Sequence, residues 1–311
     1  MDWKEGAATV TSRMVSIGMP VYNGGEELRH ALDSILAQSH AEFELIISDN
    51  ASTEGVTQTL TEEYARRDPR IRLTRQPANQ GVMANFLWVL QQSQGDYFMW
   101  AAHDDAWSQN DIEALADRLD ESPDAVLATP RTNMERVSKS GAKQMRIIPE
   151  TPSVDRWGIL DAFLSPHTCV WFYGLYRTTW LNHATEELKR YPILGADRIW
   201  LFDLLSNHRT VGASNATFYY SCVDGKPKNR TTRTRMRDLE IESYHMARIA
   251  LEQASISDRA KGLYRVLRYL YWHKISRGNP VGTLIRIVKL VLFGTWFGLE
   301  AGVRRVAGLR G

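Results

Sequence analysis

Apolar runs alternate with amphipathic stretches along the first third of the chain. Strand-like runs occupy residues 14–22, 43–48, 71–74 and 97–102. In the segments between them, apolar residues recur at the three- and four-residue spacing of a helix. Four such alternations in a short stretch predict a parallel sheet whose strands are joined by right-handed helical crossovers.

The remainder of the chain has less regular patterns. The predicted elements are helices at 111–120, 157–164, 195–206, 237–253 and 257–277, strands at 125–129 and 211–220, and an exposed loop or hairpin at 131–155. An aromatic-rich apolar stretch covers residues 169–176. Together these patterns predict a helix-flanked α/β protein with additional helices at its carboxyl end.

Composition is that of a globular protein, because 43% of the 311 residues are apolar and 24% are charged. Two cysteines, Cys169 and Cys222, supply no disulfide framework and no metal-ligand spacing. A reducing, cytoplasmic setting is therefore expected. Residues 1–13 are polar and lack the apolar core of a signal peptide.

The charge is unevenly distributed along the chain. Residues 259–311 contain 11 Lys/Arg and one acid, so this segment carries +10 and the remainder −8. An anionic surface is the expected partner. Nucleic acid is not expected, since no recognition motif is present and the basic residues are mixed with apolar runs.

Residues 281–299 are strongly apolar but are interrupted by Arg286 and Lys289. The uninterrupted apolar length is too short for a membrane-spanning helix. A helix lying in the headgroup region of an anionic membrane fits this pattern. A helix that packs on the protein core or forms a homodimer fits it equally well, so both interpretations stay open.

The strand-like run at 97–102 ends in His103, Asp104 and Asp105. Adjacent carboxylates repel each other, and a hard divalent cation such as Mg²⁺ or Mn²⁺ would compensate them. Open α/β sheets bind ligands at the carboxyl edge of their strands. The alternative is a solvated acidic pair that begins the next helix, with Asp105 or Ser108 as the N-cap.

Two further acids occupy similar positions. Asp49 ends the second predicted strand, at the same expected edge as the acidic pair, and can accept a hydrogen bond from a nucleotide base. Asp197 falls in the first turn of a predicted helix. The helix dipole is expected to favour its ionised form, which suits a carboxylate that takes a proton from a hydroxyl.

Several short motifs occur in a recognisable order. They are Met-Pro-Val-Tyr-Asn at 19–23, Ser-Asp-Asn-Ala-Ser-Thr at 48–53, Asn-Gln-Gly at 79–81, Gly-Asp-Tyr at 95–97, His-Asp-Asp at 103–105, Tyr-Gly-Leu-Tyr-Arg at 173–177 and Gly-Ala-Asp at 195–197. Their order and spacing resemble those of the family 2 glycosyltransferases of GT-A fold. The resemblance to the nucleotide-sugar half covers about residues 14–130, and the last two motifs resemble acceptor-side motifs.

The resemblance implies an architecture. It is a Rossmann-like, mixed, mostly parallel sheet flanked by helices, with a C-terminal helical extension. The implied organisation is an N-terminal tail at 1–13, a glycosyltransferase domain at 14–235 and a basic helical region at 236–311, with the domain divided into a nucleotide-sugar half at 14–130 and an acceptor half at 131–235.

The resemblance also implies roles for individual residues. The nucleotide-sugar contacts would be Pro20, Tyr22, Asn23, Asp49, Asn79, Gly81 and Asp104. Asp105 would bind the cation, and Asp197 would be the catalytic base. Candidate acceptor or diphosphate contacts are His167, Trp171, Tyr173, Arg230 and Arg233. Core packing is the alternative for the aromatic residues, and a solvated basic loop is the alternative for the arginines.

The implied function is inverting transfer of a sugar from a nucleoside-diphosphate sugar to a hydroxyl. A cell-envelope or lipid-linked glycan acceptor and a peripheral position on the inner face of the plasma membrane follow from the basic, apolar carboxyl end. His103 and Ala196 depart from the family pattern, so an inactive nucleotide-sugar-binding module is an alternative. A sugar-nucleotide synthesising nucleotidyltransferase is the other alternative. A dehydrogenase is not expected, because residues 23–25 do not supply the glycine fingerprint that binds its dinucleotide.

Overall fold

The computed structural model describes residues 13–138, 140–165, 168–181, 196–223, 242, 245–253 and 255–275. The chain divides into two compact units. The first comprises the described parts of Met1–Thr151, Val170–Lys189 and Arg209–Gly225, and the second those of Pro152–Cys169, Arg190–His208 and Lys226–Gly311.

The first unit begins with the predicted strand–helix alternation. Its elements are β1 (Val15–Val21), α1 (Glu27–Leu36), β2 (Phe43–Asp49), α2 (Gly55–Arg67), β3 (Ile71–Arg75), α3 (Val82–Gln91) and β4 (Tyr97–Trp100). These strands are parallel and adjacent in the order β3-β2-β1-β4, as predicted. Every residue of β1 and β2 is buried, which explains their continuous apolar runs.

Helix α3 does not bury all of its apolar residues. Val82, the first residue of this helix, is 63% exposed. The helix buries the polar Asn85 instead, whose Nδ2 donates to the Ser48 carbonyl oxygen at 3.0 Å. A hydrogen-bonded amide therefore occupies part of the surface that faces the sheet, which apolar spacing alone could not reveal.

The sheet continues with mixed strand directions. The added elements are β5 (Ala106–Trp107), α4 (Asp111–Asp120), β6 (Ala125–Val137), β7 (Lys143–Ile148), β8 (Leu175–Arg177) and β9 (Arg209–Val223). Strand β8 is antiparallel to β4 and β6, and β9 is parallel to β6 and antiparallel to β5. Strand β7 forms a hairpin with β6, which confirms the hairpin alternative for this segment.

The interpretation of the acidic pair as a helix start is wrong. Helix α4 begins at Asp111 after Asn110, and β5 separates it from Asp105. Strand β5 has only two residues, so no alternation of apolar and polar positions could predict it. It pairs with β9 through Ala106 and Trp107, immediately after the acidic pair.

The aromatic-rich stretch forms the 3₁₀ helix Thr168–Tyr173 and then β8. The Trp100 ring at the end of β4 stacks on Phe172, with ring centroids 4.4 Å apart. It also meets Tyr176 edge to face at 5.6 Å. Both Trp100 and Tyr176 are fully buried. These aromatic contacts join the parallel and mixed parts of the sheet in one core.

The second unit is helical where it is described. It contains α5 (Arg156–Phe163), α6 (Ala196–Asn207), a helical segment at 245–251 and α7 (Ile256–Ile275), close to the predicted positions. Arg265 of α7 pairs with Asp161 of α5 at 2.7 Å. Among the described helices, none combines the length and apolarity needed to cross a membrane. Residues 281–299 lie outside the described residues.

Candidate functional site

The first three strands of the sheet end side by side. Val21 of β1 is the register partner of Asp49 of β2, and Asp49 is the partner of Arg75 of β3. All three residues are the last of their strands. The loops that follow them therefore start at one level, which is the edge where open parallel sheets bind ligands.

The turn after β1 is fixed to the loop after β2. Asn23 has φ 51°, the left-handed conformation that asparagine tolerates better than most residues. Its backbone N–H donates to Ser52 Oγ at 2.9 Å, and its Oδ1 accepts from the Thr53 N–H at 2.9 Å. Pro20 is buried in β1, whereas Tyr22 is 44% exposed. The Tyr22 ring is thus accessible to a ligand.

The loop after β3 is tied to the same assembly by Asn50. Asn50 Nδ2 donates to Asn79 Oδ1 at 3.1 Å, and Asn50 Oδ1 accepts from the Gln80 N–H at 2.9 Å. Asn79 Oδ1 also accepts from the Gly81 N–H at 2.9 Å. Gly81 has φ 88°, a conformation that favours glycine. The motifs at 19–23, 48–53 and 79–81 therefore form one hydrogen-bonded edge.

Asp49 is the most buried acid of this edge, with 1% exposure. One carboxylate oxygen accepts from the Ser52 N–H at 2.8 Å, and the other pairs with the guanidinium of Arg75. Arg75 Nη2 also donates to the Ser52 carbonyl oxygen at 2.7 Å. Arg75 thus compensates the buried charge of Asp49. An N–H group of a nucleotide base would have to donate to a carboxylate oxygen that already has a partner, which is possible because each oxygen has two lone pairs.

Sequence reasoning did not identify Arg75. An arginine at the end of a short, half-exposed strand has the pattern of an ordinary solvated residue. Its position at a strand end could have indicated the pairing, because β2 ends in Asp49 and the neighbouring parallel strand β3 ends in Arg75. A charge pair across neighbouring strand ends is predictable once the register is known.

His103, Asp104 and Glu27 form a second group at this end of the first unit. Their potential ligand atoms all lie within 4.8 Å of one another. Glu27 is in the first turn of α1, and sequence reasoning did not connect it with the acidic motif. His103 lies against the β1 turn, since a Cβ placed on Gly24 would be 3.2 Å from its Cδ2.

Asp105 has a different environment from Asp104. It is 2% exposed, and its Oδ1 accepts from the Ser221 N–H of β9 at 3.2 Å. Asp104 is half-buried. The carboxylates of Asp104 and Glu27 are the hard ligands that Mg²⁺ and Mn²⁺ prefer, and His103 adds a nitrogen donor. This donor set fits a divalent cation. Among the described residues, the Asp105 carboxylate is not part of the group whose ligand atoms converge.

The two aromatic candidates for acceptor contacts differ in accessibility. Trp171 is fully buried, and its indole N–H donates to the Pro149 carbonyl oxygen at 2.9 Å. A contact between Trp171 and a sugar would require this side chain to become exposed. Tyr173 is half-buried, with its ring 5.4 Å from that of Phe218. Tyr173 is therefore the more accessible of the two.

As predicted, Asp197 lies in the first turn of α6. This helix belongs to the second unit. Burial raises the pKa of its carboxyl group above the ordinary value. The positive charge of Arg198 and two backbone N–H groups oppose this shift without cancelling it. The N–H groups at the helix start therefore lower the pKa, in the predicted direction, but loss of hydration raises it by more.

Three residues with proposed ligand contacts fall outside the described residues. They are His167, Arg230 and Arg233.

Residues 16–181, just over half of the chain, match the sequence profile described as Glycosyl transferase family 2. TuaG of Bacillus subtilis (strain 168), named for teichuronic acid biosynthesis, is 32% identical over 100 residues, covering 32% of this chain and 39% of TuaG. EpsE of the same strain, also named as a glycosyltransferase, is 29% identical over 138 residues, covering 44% and 49%. The matches span less than half of either relative.

Solved structures share the fold at low sequence identity. S. aureus TarS 1-349 in complex with UDP-GlcNAc has a TM-score of 0.65 and 18% identity, covering 88% of this chain and 81% of that one. Mannosyltransferase PcManGT from Pyrobaculum calidifontis, in complex with GDP-Man and Mn²⁺, has a TM-score of 0.51 and 15% identity, covering 97% and 89%. The mixed α/β fold is thus of the GT-A type, and the chain belongs to glycosyl transferase family 2.

Proposed function

We propose that this protein transfers a sugar, with inversion, from a nucleoside-diphosphate sugar to a hydroxyl group. The observation that carries the proposal is the hydrogen-bonded edge formed by the loops after β1, β2 and β3. This edge occupies the part of the sheet that binds nucleotides in open α/β folds. TarS and PcManGT, which share the fold, bind UDP-GlcNAc and GDP-Man respectively, which supports this class of donor.

In this proposal each part of the edge contacts one part of the donor. The turn from Pro20 to Asn23 and the Asp49 carboxylate hold the base and ribose, with Tyr22 providing an accessible ring. Asn79 and Gly81 complete the nucleotide pocket. Asp104 contacts the ribose or sugar. Asp105 holds a divalent cation, which when bound would neutralise charge on the leaving diphosphate.

The chemical step is a single displacement. The acceptor hydroxyl attacks the anomeric carbon as the bond to the diphosphate oxygen breaks, and that oxygen keeps the bonding electron pair. Asp197 accepts the hydroxyl proton. The transition state has oxocarbenium character, as in glycoside hydrolysis, and attack from the face opposite the leaving group inverts the anomeric carbon. The raised pKa of Asp197 makes it a stronger base than an ordinary carboxylate.

The names of the relatives support a class of acceptor. TuaG is named for teichuronic acid biosynthesis, so we propose an envelope or surface polysaccharide, or its lipid-linked precursor, as the acceptor.

A panel of nucleotide sugars tests the proposal. Thermal unfolding of the full chain is measured with each sugar nucleotide, with and without Mn²⁺. The correct donor raises the unfolding midpoint as its concentration exceeds its dissociation constant, and Mn²⁺ increases the effect. Release of the nucleoside diphosphate then shows turnover. Absence of any donor-dependent shift across the panel would contradict the proposal.

An inactive binding module is the second candidate. The observation that favours it is the burial of Asp105 and its hydrogen bond to the Ser221 N–H, because a cation ligand needs access to its ion. Donor binding without metal-dependent release of nucleoside diphosphate, in the presence of extracts that contain envelope glycans, would support the module over the enzyme.

Asp49→Asn is expected to weaken donor binding about tenfold, the effect of losing one charge-assisted hydrogen bond. Glu44→Gln is the matched control. Glu44 is also a buried acid of β2, and it pairs with Arg72 at 2.6 Å near the opposite end of the strand. Calorimetric titration with the donor should show a weaker Kd only for Asp49→Asn. Equal effects of the two substitutions would indicate a general loss of stability.

We also propose that the basic, apolar carboxyl end binds the inner face of the plasma membrane. The full chain should float with anionic vesicles in a density gradient, whereas a chain ending at Gly278 should remain in the unbound fraction. Neutral phosphatidylcholine vesicles are the control, because basic segments are attracted by anionic lipids. Equal partitioning of the two chains would contradict this proposal and would favour the homodimer alternative.

A further inference from the structure

Arg198 follows the proposed base in α6 and is held by an ion pair within the second unit. Its Nε lies 3.1 Å from Glu242 Oε1. The same carboxylate oxygen accepts a hydrogen bond from Tyr269 Oη at 3.0 Å. The side chains of Arg198 and Glu242 are only 17% and 12% exposed. Desolvation offsets much of the attraction in an ion pair this deeply placed, so its contribution to stability alone is small.

Two aromatic rings lie near the guanidinium of Arg198. Its carbon lies 5.9 Å from the centre of the Phe163 ring and 5.7 Å from that of Tyr269. Arg198 Nη1 is fully buried and makes no hydrogen bond within the described part of the chain. A guanidinium has five N–H donors, so this cation is fixed in position but incompletely satisfied. Because water is largely excluded from this region, the charge of Arg198 acts more strongly on neighbouring acids than it would in solvent.

We propose that Arg198 is a positioning residue which keeps the Asp197 carboxylate charged in its buried site, and that Glu242 and Tyr269 hold Arg198 in place. The inference rests on the proposed function, because it assigns Arg198 a role through the base and not through substrate contact. Sequence spacing alone gives no hint of it, since Glu242 and Tyr269 lie 44 and 71 residues beyond Arg198.

The electrostatic directions agree with this geometry. Burial raises the pKa of Asp197, and the charge of Arg198 is the largest influence that lowers it. Burial likewise raises the pKa of the Cys169 thiol, and Arg198 is again the main opposing influence. Among the described residues, the charged or titratable groups around this cluster are Arg198, Cys169, Glu242 and Tyr269. Removing the arginine charge should therefore make both acids harder to ionise.

The first test is the pH dependence of turnover. Arg198→Gln should move the acid limb of kcat about one pH unit upward, within the range for loss of a nearby opposite charge. On the lower part of that limb its kcat should be about tenfold below wild type, and at alkaline pH within a few-fold. Arg198→Lys should restore most of the profile.

Glu242→Gln provides a second test. It removes the carboxylate that holds Arg198 in place, so the acid limb should move to higher pH, as for Arg198→Gln but by a smaller amount. If Arg198→Gln does not fold, Glu242→Gln still distinguishes a positioning role from a purely structural one. A purely structural role predicts an equal loss at every pH for both variants, and such a result would overturn the inference.

Alkylation of Cys169 by iodoacetamide tests the charge effect without relying on activity. In a Cys222→Ser background, Arg198→Gln should slow alkylation several-fold at pH 8, because the thiolate is the reactive form. Arg268→Gln is the control, since Arg268 pairs with Asp161 at 2.9 Å. Unchanged alkylation together with an unmoved acid limb would overturn the inference.

The two readouts separate failure of the inference from failure of the proposed function. If Asp197→Asn abolishes turnover while Arg198→Gln changes neither readout, the inference fails and the function stands. If Asp197→Asn keeps full turnover while Arg198→Gln still slows Cys169 alkylation, the assignment of the base fails. In that case Arg198 influences the ionisation of nearby groups but has no role in catalysis. The proposed positioning role of Arg198 is then rejected together with the assignment of Asp197 as the base.

Discussion

Replacing Asp197 with Asn is expected to lower kcat by about 10²–10⁴-fold, the usual cost of losing a general base. The amide has nearly the same shape but cannot accept the acceptor's proton at neutral pH. Donor affinity should stay within a few-fold of wild type, because the proposed nucleotide contacts are residues of the first unit. The measurement is steady-state release of nucleoside diphosphate together with calorimetric titration of the donor.

Asp203→Asn is the matched control for this substitution. Asp203 is on the same helix, six residues further along, and its Oδ1 accepts from Asn207 Nδ2 at 2.7 Å near the helix end. It should retain nearly full turnover. In the wild type, the raised pKa of Asp197 also predicts that kcat falls on acidification earlier than for an ordinary aspartate. Turnover of Asp197→Asn within a few-fold of wild type would rule out this base.

Asp111→Asn is expected to stabilise the protein strongly at alkaline pH. Asp111 begins α4 and is completely buried, and neither of its carboxylate oxygens accepts a hydrogen bond in the described structure. Burial raises its pKa to about 8, against a smaller opposing influence from the Thr217 backbone N–H. That N–H donates to Ser108 Oγ at 3.1 Å. The folded protein therefore keeps Asp111 protonated at neutral pH.

The sign of the effect follows from proton binding. Between its ordinary pKa of 3.8 and the folded value of about 8, Asp111 binds a proton only in the folded state. The free energy of unfolding therefore falls by about 1.4 kcal/mol for each pH unit in that window. Asparagine carries no such penalty, so the variant should exceed wild type by about 2–5 kcal/mol at pH 8, by less than about 2 kcal/mol at pH 5, and differ little at pH 4.

Thermal or urea unfolding at both pH values measures this difference. Glu113→Gln is the control, because Glu113 lies in the same helical turn, is exposed and accepts from Ser39 Oγ at 2.7 Å. Its stability should change little at either pH. An Asp111→Asn variant that is no more stable at pH 8 than at pH 5, relative to wild type, would show that the carboxyl is ionised in the folded protein.

Apolar periodicity was sufficient to predict the parallel part of the sheet. Strands such as β1 and β2 are buried on both faces, so their sequences are continuous apolar runs bounded by turn residues. The position of Asp49 at a strand end was predictable for the same reason. The two-residue β5 was not, because its strand conformation depends on pairing with β9 more than a hundred residues away.

Partners of the candidate residues were harder to predict than the residues themselves. Arg75 and Glu27 become relevant only when strand register and helix position bring them to the motifs at the sheet edge. The Ser221 N–H that holds Asp105 belongs to a distant strand and has no side-chain signature. The pKa of Asp197 is raised because the side chain is buried, and the sequence pattern of a helix start does not reveal burial.

A crystal structure of the full chain with Mn²⁺ and its sugar nucleotide is the decisive measurement for the proposed transfer. We expect an anomalous scattering peak from Mn²⁺ at coordination distance from an Asp105 carboxylate oxygen, with the base beside Asp49. We also expect the Asp197 carboxylate to face the anomeric carbon from the side opposite the diphosphate. A nucleotide bound elsewhere, or an Asp197 carboxylate with no path to the anomeric carbon, would show that the proposed mechanism is wrong.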